Sequence, residues 1–240
     1  AVCNASRILF DNLAAGRGER IAVVCENRTL TYREVAALAC RIGNGLLTAG
    51  LARGSRVLLL MLDTAEYVAA IFGAMRAGLV PVLVNTLSPP DLVAYYVEDS
   101  GAEAVIAHGS LANLLGHPDL GRSRMREVIL VGPGEPPPLA FARVTRWEEW
   151  VAREKESLQG VATHRDEMAF WMYSSGSTGR PKGVVHLHHD LAYTHAAYGK
   201  HLLGIRESDV VFSPPKIFFA YGFGNSITFP FSVGATVALH

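Results

Sequence analysis

Cysteine is scarce in this sequence, with three residues among 240: Cys3, Cys25 and Cys40. Their odd number excludes a complete disulfide framework, and their spacing does not match a cysteine metal site. Scarce, unpatterned cysteine is typical of a reducing compartment. We therefore expect a cytoplasmic protein.

Net charge is also lacking, because Lys and Arg total 22 and Asp and Glu total 22. A chain with no overall field does not attract nucleic acid or an anionic membrane, so any anion site must be local. The densest apolar stretch, residues 67–84, is interrupted by Arg76 and Pro81 and is shorter than a membrane span requires. We expect neither a nucleic-acid partner nor a membrane partner.

What the chain does have is material for a core, with 50% hydrophobic and 18% charged residues. Capping boxes are predicted at Thr31–Glu34 and at Asp63–Glu66, each followed by apolar residues at helical spacing. Short apolar runs typical of strands buried on both faces lie between and after these helices, at 56–61, 80–84, 104–106 and 128–131. Alternation of this kind predicts an α/β fold with parallel sheets flanked by helices.

A polar, glycine-rich loop follows the predicted strand at 169–173. Residues 174–183 read Ser-Ser-Gly-Ser-Thr-Gly-Arg-Pro-Lys-Gly, and a further strand is predicted directly after them. Glycines let backbone amides approach an anion closely, while hydroxyls and cations donate to phosphate oxygens. The composition favours a polyphosphate ligand.

Two other interpretations of this loop arise, and the first is excluded. The loop is not the usual nucleotide P-loop, because Lys182 follows a proline, no hydroxyl follows Lys182 and the next segment is predicted as a strand. Ser, Thr and Gly are also ordinary turn residues, so composition alone leaves open a solvated hairpin loop without a ligand.

Residues 173–184 resemble the signature loop of the adenylate-forming enzymes, which include acyl- and aryl-CoA ligases, peptide-synthetase adenylation domains and firefly luciferase. Residues 30–35 and 74–82 resemble two earlier segments of the same family. The resemblance implies that residues 1–240 form part of the large N-terminal domain. It also implies that the loop holds the β- and γ-phosphates of ATP through Ser174, Ser175, Gly176, Ser177, Thr178, Gly179 and Lys182.

A second stretch, residues 213–225, resembles the strand-to-helix turn that carries the family's acyl pocket. Its form, Lys-Ile-Phe-Phe-Ala-Tyr-Gly, is most similar to benzoate-CoA ligases, although many relatives carry a histidine where this chain has Phe219. The resemblance implies that Phe219, Ala220, Tyr221 and Gly222 form an aryl pocket. The alternative is that the aromatic residues of this stretch are core, and we expect at least two of Phe218, Phe219, Tyr221 and Phe223 to be so.

Histidines cluster after the loop at His186, His188 and His189. Alternation along a strand could place two of them on one face, but only Asp190 adds a further ligand, so we predict no metal site. Asp190 is instead predicted to cap the following helix. No Ser/His/Asp order or pair of carboxylates indicates a hydrolase.

The expected activity is therefore that of an ATP-dependent aryl-CoA ligase with ATP, Mg²⁺, coenzyme A and a small aromatic acid as reactants. A homodimer is one possible assembly. The resemblance implies that the family's catalytic lysine and small C-terminal lid domain lie beyond His240, so the chain would need a second half. The alternatives are a fatty acyl-CoA ligase, a peptide-synthetase adenylation domain and a non-catalytic nucleotide-binding fragment.

Overall fold

The computed structural model describes residues 2–26, 28–174 and 179–240. The strands are β1 (Ile21–Cys25), β2 (Arg28–Thr31), β3 (Arg56–Leu60), β4 (Val80–Leu83), β5 (Ala104–His108), β6 (Glu127–Val131), β7 (Arg143–Arg146), β8 (Met168–Ser174), β9 (Lys182–Leu187), β10 (Val210–Phe212) and β11 (Thr236–Leu239). The α-helices are α1 (Arg7–Ala14), α2 (Tyr32–Thr48), α3 (Ala65–Arg76), α4 (Pro90–Ser100), α5 (Trp147–Ala152), α6 (Asp190–Thr194), α7 (Ala220–Phe223) and α8 (Phe229–Val233). Two 3₁₀ segments (Gly109–Gly116, Pro118–Arg122) and two π-helical segments (His195–Leu203, Gly224–Thr228) complete the regular structure.

These strands form two sheets. One has seven strands in the order β7-β6-β5-β3-β4-β8-β9, and the other has four in the order β10-β11-β1-β2. Neighbouring strands are parallel except for β1–β2 and β8–β9. The predicted α/β class with parallel sheets flanked by helices is confirmed. The two antiparallel pairs depart from an all-parallel sheet because their connections are too short to hold a crossover helix.

Helix α3 lies between the two sheets. All its residues from Ala65 to Met75 are buried, and it contacts β1 in one sheet and β3 and β4 in the other. Its neighbour α2 crosses it at very close range, since a Cβ on Gly73 would lie 2.5 Å from the Ala39 carbonyl oxygen. This close approach accounts for a glycine inside a buried helix, where it would otherwise cost stability.

The faces of β3 show why its sequence is continuously apolar. Val57 and Leu59 belong to the core shared with α2 and α3, whereas Leu58 and Leu60 belong to a second core under α4. Both faces are therefore covered, as expected for a central parallel strand. Within the described ranges, no helix is long and apolar enough to cross a lipid bilayer.

Local signals at the helix starts are partly confirmed. Thr31 and Glu34 form the predicted capping box, with the Thr31 amide 2.7 Å from Glu34 Oε2. The prediction for α3 is wrong by one residue. Thr64 caps it, because the Asp63 carboxylate instead accepts from the Ile217 amide at 3.2 Å.

The predicted cap of α6 is also wrong. Asp190 is the first residue of this helix, His189 precedes it, and Asp190 Oδ2 accepts from the Leu187 amide at 2.9 Å. The carboxylate turns back to the end of β9, where it also lies 3.4 Å from His186 Nδ1. Neighbours three and four residues earlier in the chain therefore hold this side chain.

His188 connects the N-terminal segment to the end of β9. It is 2% exposed, and its Nδ1 accepts a hydrogen bond from the Ala5 amide at 3.0 Å. Burial lowers the pKa of His188 from 6.5 to about 4, opposed by the nearby Glu167 carboxylate and assisted by Arg53. The imidazole is therefore neutral at pH 7 and can act as an acceptor.

Acid should weaken the fold through this histidine. Between pH 6.5 and about 4 the unfolded chain binds a proton at His188 that the folded chain does not. The free energy of unfolding therefore falls as the pH falls, by at most about 1.4 kcal/mol per pH unit from this group. The His188→Gln variant keeps a carbonyl acceptor without a titrating group, so its stability should fall less steeply. Urea unfolding from pH 7 to pH 4.5 measures the difference.

The exposed His201 supplies the control. Unfolding of a His201→Gln variant should follow the wild-type pH profile. Equal slopes for the wild-type chain and the His188→Gln variant would show that other groups determine the acid sensitivity.

Candidate active site

The polar loop is held between β8 and β9. These strands pair antiparallel in a register that sets Tyr173 opposite Gly183 and Ser174 opposite Lys182. Both ends of the loop therefore leave the sheet side by side. Of the predicted phosphate-binding residues, Ser174, Gly179 and Lys182 are described, and Ser175, Gly176, Ser177 and Thr178 lie outside the described residues.

The three described residues of this set are accessible. Ser174, Gly179 and Lys182 are all exposed at the end of the hairpin. Gly179 has a φ of +118°, and a Cβ built on it would meet nothing within 4 Å. The backbone conformation, rather than lack of space, is what favours glycine there. The arrangement leaves a hydroxyl and an ammonium group free to face a ligand.

A cavity of about 570 Å³ opens beside the two ends of the loop. This volume lies within the range of about 300–1,000 Å³ that small-molecule sites occupy. The cavity draws its lining from both strands of the hairpin, from α4 and the segment before it, and from the start of α7 and the segment before it. The lining residues are Asn85, Ser88, Leu92, Tyr96, Met172, Tyr173, Ser174, Pro181, Val184, His186, Phe218, Phe219 and Ala220.

Beneath Ala220 lies a smaller, mainly apolar cavity of about 130 Å³ that shares Met172, His186 and Ala220 with the first. One wall contains Phe170, which stacks on His186 with ring centroids 4.5 Å apart and on Phe223 at 4.4 Å. These planar groups form an aromatic stack in the wall. Stacked aromatic pairs contribute about 0.5–1.5 kcal/mol beyond burial, so they stabilise this arrangement of the wall.

The predicted aryl-pocket residues divide into two pairs. Phe219 and Ala220 line the larger cavity, whereas Tyr221 and Gly222 line neither cavity. Tyr221 is 64% exposed, and Gly222 packs against the backbone of residues 215–216. Contact of these four residues with a ring stays a prediction. The expectation that at least two aromatic residues are core is confirmed, because Phe218 and Phe223 are buried.

Several lining residues were not predicted as site residues. Tyr96 lies on α4, far from the loop in sequence, and its ring packs on that of Tyr173 with centroids 4.4 Å apart. His186 was considered only as a metal ligand, yet it lines both cavities. The described ranges hold no group of three or more His, Cys, Asp or Glu side chains arranged to bind a metal.

A separate cavity of about 350 Å³ lies between the two sheets near their carboxyl edges. Asp63 and Lys216 line it, and Lys216 Nζ donates to the His240 carbonyl oxygen. Burial raises the pKa of Asp63, although its hydrogen bond from the Ile217 amide and the Lys216 charge oppose the rise. Lys216, which had no assigned role from sequence, therefore lies between a carboxylate and the last strand.

Gly222 is required by packing at the start of α7. A Cβ at this position would lie 2.0 Å from the Lys216 carbonyl oxygen and 2.4 Å from that of Pro215. Both atoms belong to the backbone, so the Gly222→Ala variant should lose about 1–3 kcal/mol of stability, measured as a lower urea midpoint.

The matched control is Gly121→Ala, where the nearest atom to a new Cβ is a Phe141 ring carbon at 3.7 Å. Its unfolding should stay within about 0.5 kcal/mol of the wild-type chain. An unchanged midpoint for Gly222→Ala would show that the 215–216 backbone moves aside readily.

Known proteins resemble this chain over nearly its whole length. It is 39% identical over 238 residues to the benzoate–CoA ligase of Thauera aromatica, and 38% identical over 229 residues to a 4-hydroxybenzoate–CoA/benzoate–CoA ligase of Rhodopseudomonas palustris. These alignments cover 98% and 95% of this chain but 43% and 41% of the relatives. The chain thus spans less than half the length of these relatives.

Solved structures agree with this likeness. The chain superposes over its full length on a benzoate CoA ligase from Burkholderia xenovorans with a TM-score of 0.87 and 37% identity. It superposes on the anthranilate CoA ligase AuaEII, solved in complex with anthranoyl-AMP, with a TM-score of 0.92 and 33% identity. Each alignment covers 45% of the solved chain. The family model of the AMP-binding enzymes matches residues 10–240, and the chain belongs to that family.

Proposed function

We propose that this chain supplies the phosphate-binding loop and the aryl-acid pocket of an ATP-dependent aryl-CoA ligase. The observation that carries the proposal is one cavity lined both by Ser174 and Pro181 at the ends of the loop and by Phe219 and Ala220. A ring held against the aromatic residues would place its carboxylate toward the loop, where a nucleotide's phosphates would lie. The relatives named as aryl-CoA ligases support the same assignment.

The proposed reaction has two steps. A carboxylate oxygen of the aromatic acid attacks the α-phosphorus of MgATP, the bond to the β-phosphate oxygen breaks, and pyrophosphate leaves. The thiol sulfur of coenzyme A then attacks the acyl carbon, the bond to the AMP oxygen breaks, and the thiol proton is released. The protein contributes mainly positioning and charge neutralisation in phosphoryl chemistry of this kind.

Each part of the site has a proposed role. Lys182 and the hydroxyls of Ser174, Ser175, Ser177 and Thr178, with the amides of Gly176 and Gly179, would hold the β- and γ-phosphates. Mg²⁺ would enter with the nucleotide and be bound mainly by phosphate oxygens. Phe219 and Ala220 would contact the ring, since the small side chain of Ala220 leaves the space that a larger residue would fill.

We further propose that residues 1–240 act as the N-terminal part of the adenylation domain and that a second segment completes the site. The coverage of the relatives supports this. So does the edge strand β10, where the apolar side chains of Val210 and Phe212 are 69% and 58% exposed. Exposed apolar surface of this kind is typical of an interface that another part of a protein covers. That segment would carry the contacts to adenine and ribose and the family's catalytic lysine.

Exchange of labelled pyrophosphate into ATP, dependent on benzoate, tests the adenylation step. We expect no exchange by residues 1–240 alone. We expect exchange when the polypeptide is extended by its own downstream coding sequence to the length of the relatives. Removing the Lys182 charge with Lys182→Ala should slow exchange about 100-fold, as for loss of one stabilising group at a developing charge.

Two results would contradict parts of this proposal. Exchange by residues 1–240 alone would show that no second segment is needed. Absence of exchange from the extended polypeptide with benzoate and its hydroxy and amino derivatives would overturn the aryl-adenylating function.

Substitution of Ala220 tests the aryl pocket. In the extended polypeptide, Ala220→Leu should reduce kcat/KM for benzoate at least about tenfold and leave the KM for ATP unchanged, because the larger side chain occupies space that the ring needs. The control is the same change at the exposed Ala192 on α6, where kcat/KM for benzoate should be retained. If Ala220→Leu keeps full activity with benzoate, the ring binds elsewhere.

A further inference from the structure

Helix α4 contacts both ends of the polar loop. Tyr95 and Asp99, four residues apart and therefore on one face of the helix, each reach a different end of the loop. The Tyr95 hydroxyl donates to the Pro181 carbonyl oxygen at 3.0 Å, and Asp99 Oδ2 accepts from the Tyr173 hydroxyl at 2.7 Å. Pro181 directly precedes β9, and Tyr173 is the last residue but one of β8.

The Tyr95 contact begins where strand pairing ends. The last paired residues of the hairpin are Ser174 and Lys182. Pro181, the residue before Lys182, has no amide hydrogen and cannot donate to the hydrogen-bond ladder of the sheet. The Tyr95 bond to its carbonyl oxygen therefore anchors the backbone one residue nearer to the loop than the sheet does.

The contact to Tyr173 is stable toward deprotonation. Burial and the hydrogen bond to the Asp99 carboxylate both raise the pKa of Tyr173, so the hydroxyl stays protonated and donates. The Tyr173 ring also packs on Tyr96 and meets Tyr95 edge-on, with centroids 4.4 and 6.4 Å away. A charge-assisted hydrogen bond within an aromatic cluster holds its strand more firmly than a neutral bond in solvent.

Tyr95 makes a second contact, to the side chain of the residue before Pro181. The Arg180 guanidinium lies over the Tyr95 ring, with its central carbon 5.1 Å from the ring centroid. A cation held on a ring face in this way keeps its charge near the loop while its long side chain loses rotamer freedom. One tyrosine thus restrains both the backbone and a cation of the segment.

We propose that Tyr95 and Asp99 are positioning residues for the polyphosphate of ATP, because they set the separation and orientation of the two ends of the loop. The proposal rests on the phosphate-binding role proposed above. A loop whose ends are fixed by a helix loses less conformational freedom on binding a ligand than one held by strand pairing alone. Neither residue needs to touch ATP for this effect.

The first experiment measures the restraint without relying on activity. Hydrogen–deuterium exchange of residues 1–240 is followed in peptides covering 179–187, for the wild-type chain and for Tyr95→Phe. Loss of the Tyr95 hydroxyl should raise the exchange rate of this segment several-fold. Tyr193→Phe, which removes the hydroxyl of a tyrosine 73% exposed on α6, should leave that rate unchanged. Equal exchange in Tyr95→Phe and the wild-type chain would overturn the proposal.

The second experiment measures positioning in the extended polypeptide. Tyr95→Phe and Asp99→Ala should raise the KM for ATP three- to tenfold and leave the KM for benzoate unchanged. Asp99→Asn keeps an oxygen acceptor for the Tyr173 hydroxyl and should restore most of the wild-type KM for ATP. A merely structural role would instead lower the thermal midpoint and change both KM values together.

The outcomes separate this inference from the function on which it rests. If the wild-type enzyme is active and both Tyr95→Phe and Asp99→Ala keep its KM for ATP, the positioning role is overturned and the ligase assignment stays intact. Wild-type enzyme with no aryl-dependent exchange overturns the ligase assignment, and with it the claim that these residues act on ATP.

Discussion

The antiparallel pairing of β8 and β9 is the constraint on which the rest of the site depends. Residues 175–181 between them are too few for a helical crossover, so the chain must turn back along β8. This turn ends the run of parallel strands and places the polar loop at the carboxyl edge of the sheet. Ligands of open α/β sheets bind at that edge, where loops can vary without disturbing the core.

The cavity then forms where the second sheet meets this edge. The segment that carries Phe218, Phe219 and Ala220 follows β10 of the four-stranded sheet, yet these residues line a cavity shared with the seven-stranded one. Helix α3 makes this possible because it is buried between the sheets and sets their separation. The Ile217 amide also donates to Asp63, beside the start of α3, which ties the aromatic segment to that helix. The site is therefore a product of the packing between the sheets.

Much of the fold could be predicted from sequence because its signals are local. The capping box at Thr31 and the apolar runs of the central strands depend on near neighbours in the chain. Asp63 was assigned wrongly since its partner, the Ile217 amide, is distant in sequence and no local pattern reveals it. Asp190 was assigned wrongly because its carboxylate turns back to Leu187 and His186, a local alternative to capping the helix. The sequence likewise indicated Phe219 and Ala220 through family resemblance. It gave no signal for Tyr96, whose place in the cavity depends on the order of strands in the sheet.

Residues outside the hairpin restrain both ends of β9. At the end near the loop, Tyr95 binds the Pro181 carbonyl oxygen. At the far end, Asp190 accepts from the Leu187 amide, and the next residue, His188, accepts from the Ala5 amide. The N-terminal segment and α4 thus act on the same strand, one outside the cavity and one beside it. Among the described residues β9 pairs with β8 alone, so these contacts add to the restraint that the sheet provides. His186, in the cavity wall, lies between them.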